Sequence, residues 1–266
     1  MNDPVLLSRD GRVATLTLNR PDVLNVLDAA LAEALVAHTT AIAADDSLRV
    51  VVLRGAGRHF MAGGDIRTFG ESLADPPGER ERAFRELIGR LHPAIESLHR
   101  MPHPVVARVQ GAVAGFGLSL MCACDLVVAA DDAYFAGAYR HIGVTPDGGG
   151  TWSLPRIVGA RRAMGIFLLG ERFGAADALR MGIVNKLVPA GELDGTVEAM
   201  ARSLASGPVQ ALRNTKRLIR ESPGRSLSEQ LHAEALSFAQ CTATPDFAEG
   251  ITAFLAKRPP EFGRGS

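Results

Sequence analysis

The sequence predicts an α/β core followed by an all-helical C-terminal region. Three observations carry this. Short β-branched runs alternate with amphipathic stretches from residue 12 to about residue 188. Beyond Gly191 only helical periodicity remains. At 47% hydrophobic and 22% charged residues, the 266-residue chain has the composition of a globular protein rather than a disordered one. Strands alternating with helices build a mainly parallel sheet covered on both faces. The expected division is a core at 1–190 and a helical region at 191–266.

The elements follow in order. Arg12 to Leu18 alternates, with Ala14, Leu16 and Leu18 on one face, and reads as a half-buried strand. Asn19-Arg20-Pro21-Asp22 breaks it. Asp28 is placed to cap a helix that runs to about Ala44. Arg49 to Arg54 is a continuous β-branched run, the mark of a strand covered on both faces. Phe84, Leu87, Ile88, Leu91, Ile95 and Leu98 recur at helical spacing within Glu79 to Met101, where Pro93 is a candidate kink. Pro104 to Val109 and Asp125 to Ala130 read as buried strands, with a helix from Gly115 to about Ala123 between them. Ala133 to Phe135 and the Leu187-Val188 pair suggest two short strands, and the text turns helical from Gly149. Leu193, Val197, Met200 and Leu204 form one stripe; Pro208 suits a first helical turn. Leu227 to Gln240 and Asp246 to Ala256 complete a tail of the kind that docks on a partner subunit.

Charge and cysteines exclude several function classes. Lys plus Arg and Asp plus Glu both number 29, so no basic excess points to nucleic acid. Cys122, Cys124 and Cys241 are odd in number and form no CxxC pair, against a disulfide framework or a zinc site; the first two read as small buried hydrophobes. The N-terminal MNDPVLLSRDGR shows no signal-peptide pattern, and the apolar run Val109 to Cys124 falls short of a membrane span. A cytoplasmic protein is expected.

Glycine is the compositional signal, at 28 residues. Four fall in Gly55 to Gly64, three in Gly111 to Gly117 and four in Gly143 to Gly150. Such stretches are either tight turns or places where peptide N–H groups approach a ligand. Gly115-Phe116-Gly117 imitates a dinucleotide fingerprint, but Leu120 replaces its third glycine. Ser119 lies in GLSLM, not in a nucleophile elbow. His99 and His103 have metal-ligand spacing, but Pro102 and Pro104 break the helix that would align them; His59 reads as a solvated loop residue.

Five ordered segments resemble one family. HFMAGGDI (His59 to Ile66), VQGAVAGFGLSLMCACDLVVA (Val109 to Ala129) and IGVTPDGGGTWSLPRIVGARRAM (Ile142 to Met164) resemble the signature regions of the enoyl-CoA hydratase/isomerase (crotonase) superfamily. NRPDVLNVLD near the start and FAEGITAFLAKRPPEF near the end are similar to its terminal signatures. The resemblance implies a spiral of ββα turns with a helical region that drives a homotrimer or dimer of trimers. It implies an acyl-CoA thioester substrate and an enolate held by two peptide N–H groups, by position those of Gly64 and Phe116. Ala62, Gly64, Asp65, Ile66 and Arg67 match the segment that lines the substrate, with Arg67 and Lys257 as local cations for CoA phosphate. No cofactor is implied beyond the CoA that the substrate carries, and neither a membrane nor a nucleic acid.

The chain also departs from the family. The two glutamates of true hydratases match Ser119 and Tyr139, neither of which supplies a carboxylate. Asp147, in TPDGGG, is the carboxylate that remains. The pattern from Pro146 to Met164 resembles the ring-1,2-epoxyphenylacetyl-CoA isomerases and related enoyl-CoA isomerases. In that branch one carboxylate suffices for an allylic proton shift. Taken alone, Asp147 also reads as a turn or N-cap aspartate before Gly148. Resemblance to aryl-CoA dehalogenases leaves open a nucleophilic Asp147, with Tyr139 as pocket wall or hydrogen-bond donor. Hydration through another residue and acyl-CoA binding without catalysis are the further alternatives. Phe116 stands where a glycine is common, which would narrow the acyl pocket.

Overall fold

The computed structural model describes residues 3–263. Strands β1 (Val5–Asp10) and β2 (Val13–Leu18) form an antiparallel pair with Val5 opposite Leu18. In β2 the alternation holds: Ala14, Leu16 and Leu18 are buried. The sequence does not reveal β1, because Val5 is its one buried residue and pairing to β2, not patterning, defines it. Helix α1 (Ala29–Ala43) begins where the Asp28 carboxylate accepts from the Leu31 N–H at 2.8 Å. In β3 (Val50–Gly55) the first four residues are buried, as expected for a strand covered on both faces.

A short helix, α2 (Ile66–Glu71), follows the first glycine-rich stretch. Helix α3 (Pro77–Arg100) starts two residues before the periodicity does, because a proline fits the first helical turn. It continues past Pro93 to Arg100. Then come β4 (Val105–Val109), β5 (Ala112–Ala114) and α4 (Phe116–Ala123), followed by β6 (Leu126–Ala130) and β7 (Tyr134–Ala136). Helix α4 is buried at all eight positions, which explains a segment apolar on every side. Helices α5 (Gly150–Val158) and α6 (Ala160–Met164) lead into a wide π-turn at Gly165–Leu169. Strand β8 (Arg172–Gly174), helix α7 (Ala175–Arg180) and strand β9 (Lys186–Val188) complete the strand-bearing part.

The larger sheet has the order β1-β2-β3-β4-β6-β9 and is parallel from β2 onward; β5-β7-β8 form the smaller one. Successive strands alternate between sheets: β4 then β5, β6 then β7. Each pair leads towards a helix, so the chain winds as a spiral of ββα turns. β5 and β8 are three residues each and are held by pairing to β7, which is why no hydrophobic pattern announces them.

Helices α8 (Leu193–Ala205), α9 (Val209–Glu221), α10 (Leu227–Thr242) and α11 (Pro245–Leu255) form the tail. α8 packs Leu193, Val197 and Ala201 on Val50, Val52, Val106 and Val128 of the larger sheet. α9 is tied to the core by Asp125, whose carboxylate lies 2.7 Å from Lys216 Nζ and 2.8 Å from Arg220. Asp125 therefore sits outside β6 and also accepts from the Val105 N–H. Leu227, Phe238 and Phe254 on α10 and α11 stand 72–80% exposed. Among the described residues no helix is long and apolar enough to cross a membrane.

Candidate active site

Two of the glycine-rich stretches meet edge to edge. Residues 61–65 run between the N-terminal segment and β5. On one side Leu27 N–H donates to Gly63 O and Asp65 N–H to Leu27 O, at 2.8 and 2.9 Å. On the other, Met61 N–H donates to Ala112 O and Ala114 N–H to Met61 O, at 3.1 and 3.0 Å. These ladders leave the Gly64 N–H unused. Phe116 is the first residue of α4, so its N–H has no intrahelical acceptor either. Among the described residues neither N–H meets an acceptor. A Cβ on Gly63 would lie 3.8 Å from Phe116 N, and one on Gly115 3.5 Å from Gly63 Cα. That close approach sets the residue before Gly64 against the start of α4.

The third stretch packs on the same helix. Gly148 has φ +57°, and a Cβ there would lie 2.6 Å from Phe116 Cε2 and 3.2 Å from Ser119 Cβ. A Cβ on Gly150 would collide with Ser119 Oγ. These glycines let the loop bearing Asp147 lie against α4. The N-cap of α5 is Gly149, so Asp147 does not cap that helix with its side chain. Its carbonyl accepts from Gly150 N–H at 3.0 Å, closing a turn.

Ser119, Tyr139 and Asp147 form one chain of hydrogen bonds. Tyr139 O–H donates to Asp147 Oδ1 at 2.7 Å. Ser119 Oγ lies 2.9 Å from the Tyr139 oxygen. The one phenolic proton is engaged by the carboxylate, so Ser119 is the donor in that second bond. Burial pushes the Asp147 carboxyl above its ordinary range; the Tyr139 hydrogen bond, its own backbone and nearby His92 pull in the other direction without cancelling the rise. Burial and the adjacent Asp147 charge push the Tyr139 phenol further up, so it stays protonated. Phe167, carried by the π-turn, sets its ring edge-on to Tyr139 with centroids 6.1 Å apart.

The remaining expected residues are placed as follows. Ala62 is half-buried and donates its N–H to Leu24 O at 3.1 Å. Asp65 caps α2 and its carboxylate lies 3.2 Å from Arg20. Ile66 and Arg67 are exposed on the first turn of α2. The Phe116 ring is buried against Gly148. Lys257, just past α11, is exposed.

Asn25 is a site-building residue that the sequence reading missed. It is fully buried, and its Nδ2 donates to the carbonyls of Ala56, His59 and Phe60 at 3.0, 2.9 and 3.2 Å. Its Oδ1 accepts from the Arg20 N–H. One amide thus fixes the loop leading into residues 61–65. The available signal was an asparagine in a turn, a residue type that tolerates its φ of +56°.

Comparison with known proteins fixes the class. A crystal structure of an enoyl-CoA hydratase from a Polaromonas species superposes with a TM-score of 0.89 at 35% identity, covering 97% of this chain and 98% of that one. An enoyl-CoA hydratase/isomerase structure from Mycobacterium abscessus gives 0.92 at 33% identity, covering 97% and 99%. The protein therefore has the crotonase fold. The enoyl-CoA hydratase/isomerase family model matches residues 8–265. Two curated relatives match over 250 residues, 94% of this chain and of each relative. One is a probable enoyl-CoA hydratase of Rhodobacter capsulatus, 40% identical. The other is the 1,2-epoxyphenylacetyl-CoA isomerase of Escherichia coli, 36% identical. The chain belongs to the enoyl-CoA hydratase/isomerase family.

Proposed function

We propose that this protein shifts a double bond in an enoyl-CoA thioester through its enolate, with Asp147 as the proton carrier. One observation carries the proposal: the hydrogen-bonded chain, buried at Ser119 and Tyr139 and half-buried at Asp147, holds a single carboxylate, and its neighbours are hydroxyls that stay protonated. Asp147 removes a proton from the α or γ carbon. The electron pair moves into the thioester carbonyl, giving a dienolate. The N–H groups of Gly64 and Phe116 hold the oxyanion; such preorganised donors are worth roughly 2.7–4 kcal/mol each. Asp147 then delivers a proton, the one it removed or one exchanged from solvent in its place, to the other end of the dienolate. No atom is gained or lost, so the reaction needs neither water nor a cofactor. A carboxyl raised by burial is suited to both transfers.

The segment 62–67 lines the thioester, and Arg67 and Lys257 are exposed cations for CoA phosphate. Residues 1–190 act as the catalytic core. Residues 191–266 assemble a homotrimer or a dimer of trimers, in keeping with the bare apolar side chains of α10 and α11. The Escherichia coli relative is also named an isomerase of an acyl-CoA, though of an epoxide rather than of an enoyl group.

A second reaction, hydration, is favoured by the name of the Rhodobacter relative. Solvent deuterium exchange into 3-butenoyl-CoA, with product analysis, separates the two. Isomerisation turns 3-butenoyl-CoA into crotonyl-CoA labelled from solvent, whereas a hydratase leaves the unconjugated 3-butenoyl-CoA unchanged and forms 3-hydroxybutyryl-CoA only from added crotonyl-CoA. Asp147→Asn should lower exchange by about 10²–10⁴-fold while CoA-ester binding persists. Exchange at the wild-type rate in that variant overturns the assignment.

A further inference from the structure

We propose that Tyr139 is a positioning residue that selects the working oxygen of Asp147: its O–H holds Oδ1 and leaves Oδ2 to move the proton. The inference rests on the isomerase assignment above.

A carboxylate with two free oxygens turns easily about its last torsion, which is broad for Asp. Here one oxygen is fixed at 2.7 Å by a charge-assisted bond. The phenol is itself fixed. Its ring is 7% exposed, Phe167 sits edge-on to it, and Ser119 donates to its oxygen from α4. Ser119 is fully buried and lies three residues after Phe116 on that helix. The chain of bonds therefore ties the proton carrier to the same rigid element whose first N–H holds the oxyanion. Gly148 and Gly150 permit the arrangement, since a side chain at either would displace Phe116 or Ser119.

Tyr139 is a donor and not a second base. Burial and the neighbouring charge hold its proton on the oxygen. Its bond is stronger to ionised Asp147 than to the neutral acid, so it opposes the effect of burial. It sets the pH at which Asp147 can accept a proton as well as the direction from which it does so. The groups facing Asp147 are few. Tyr139 comes from the turn after β7, with Ser119 of α4 behind it, and His92 lies on α3.

The test uses the full-length protein with aspartate 13C-labelled at the carboxyl carbon. The Asp147 resonance is assigned by its loss in Asp147→Asn, so the first readout needs no activity. Tyr139→Phe keeps the ring and removes the hydroxyl. It should raise the Asp147 midpoint by about one pH unit, a tenfold change in proton affinity. Ser119→Ala, which weakens the same donor indirectly, should raise it by less. The acid limb of deuterium exchange into 3-butenoyl-CoA should move up with the midpoint, with KM unchanged. A midpoint that stays put in folded Tyr139→Phe overturns the proposal while leaving the isomerase assignment intact. A shifted midpoint beside an Asp147→Asn variant that exchanges normally overturns both the assignment and the working role given to Oδ2.

Discussion

Gly148→Ala tests the packing logic of the site most directly. Gly148 has φ +57°, where an L side chain costs about 1–2 kcal/mol. The added methyl would also lie 2.6 and 2.8 Å from two carbons of the Phe116 ring. That ring is 2% exposed and cannot swing into solvent. Overpacking of this kind costs about 1–3 kcal/mol. The two effects together should destabilise the fold by about 3 kcal/mol. Relief requires either the Asp147 loop or the start of α4 to move, and a shift of about 1 Å at a reacting group costs about 100-fold in rate. Gly143→Ala is the control: its φ is +73°, but no atom lies within 4 Å of the new methyl. It should lose about 1–2 kcal/mol for backbone conformation alone and keep its exchange rate. Urea denaturation and solvent deuterium exchange read both variants. Equal losses of stability and rate in the two would refute the claim that contact with α4 is what demands glycine at 148.

Two further outcomes follow from the buried polar groups. Asn25→Ala removes the donor to three carbonyls and places alanine at positive φ, so a loss of about 2–4 kcal/mol is expected in chemical denaturation. Faster proteolysis between residues 55 and 60 should accompany it, and an unchanged cleavage pattern would contradict the bracing role. Acid should destabilise the protein partly through His99 and His103. Burial lowers both, His99 from 6.5 to about 4, with nearby arginines adding to the effect. Below pH 6.5 the unfolded chain binds protons that the folded one refuses. The contribution is therefore complete above about pH 6.5 and is lost as the pH falls towards 4. One group changes stability by at most about 1.4 kcal/mol per pH unit, and half-buried His99 by less. His99→Gln should flatten that slope in denaturation curves between pH 6.5 and 4.5; an identical slope would remove His99 from the account.

Much of the fold could be read from the chain because burial and periodicity coincide there. Asp28 caps α1, β3 is covered on both faces, and α4 is apolar all round because it is buried all round. The elements that escaped are those defined by partners. β1 buries one residue, while β5 and β8 are three residues long and hold by pairing with β7. Within the candidate site, Gly64, Phe116, Tyr139 and Asp147 could be named from the order of motifs. The function of Asn25 could not, because its three acceptors lie 31 to 35 residues away.

The sequence by itself determined the α/β core, the helical tail and the family, and it marked Asp147 as the candidate carboxylate. Those properties follow from local periodicity, from glycine spacing and from residue identity. The tertiary structure alone decided the state of that carboxylate. Asp147 is not a helix cap. It lies against α4, is pushed upward by burial and is held through one oxygen by Tyr139, which Ser119 holds in turn. The three hydroxyl and carboxyl groups are 20 and 8 residues apart in the chain, and a hydrogen bond over such separations exists only once the spiral has brought them together.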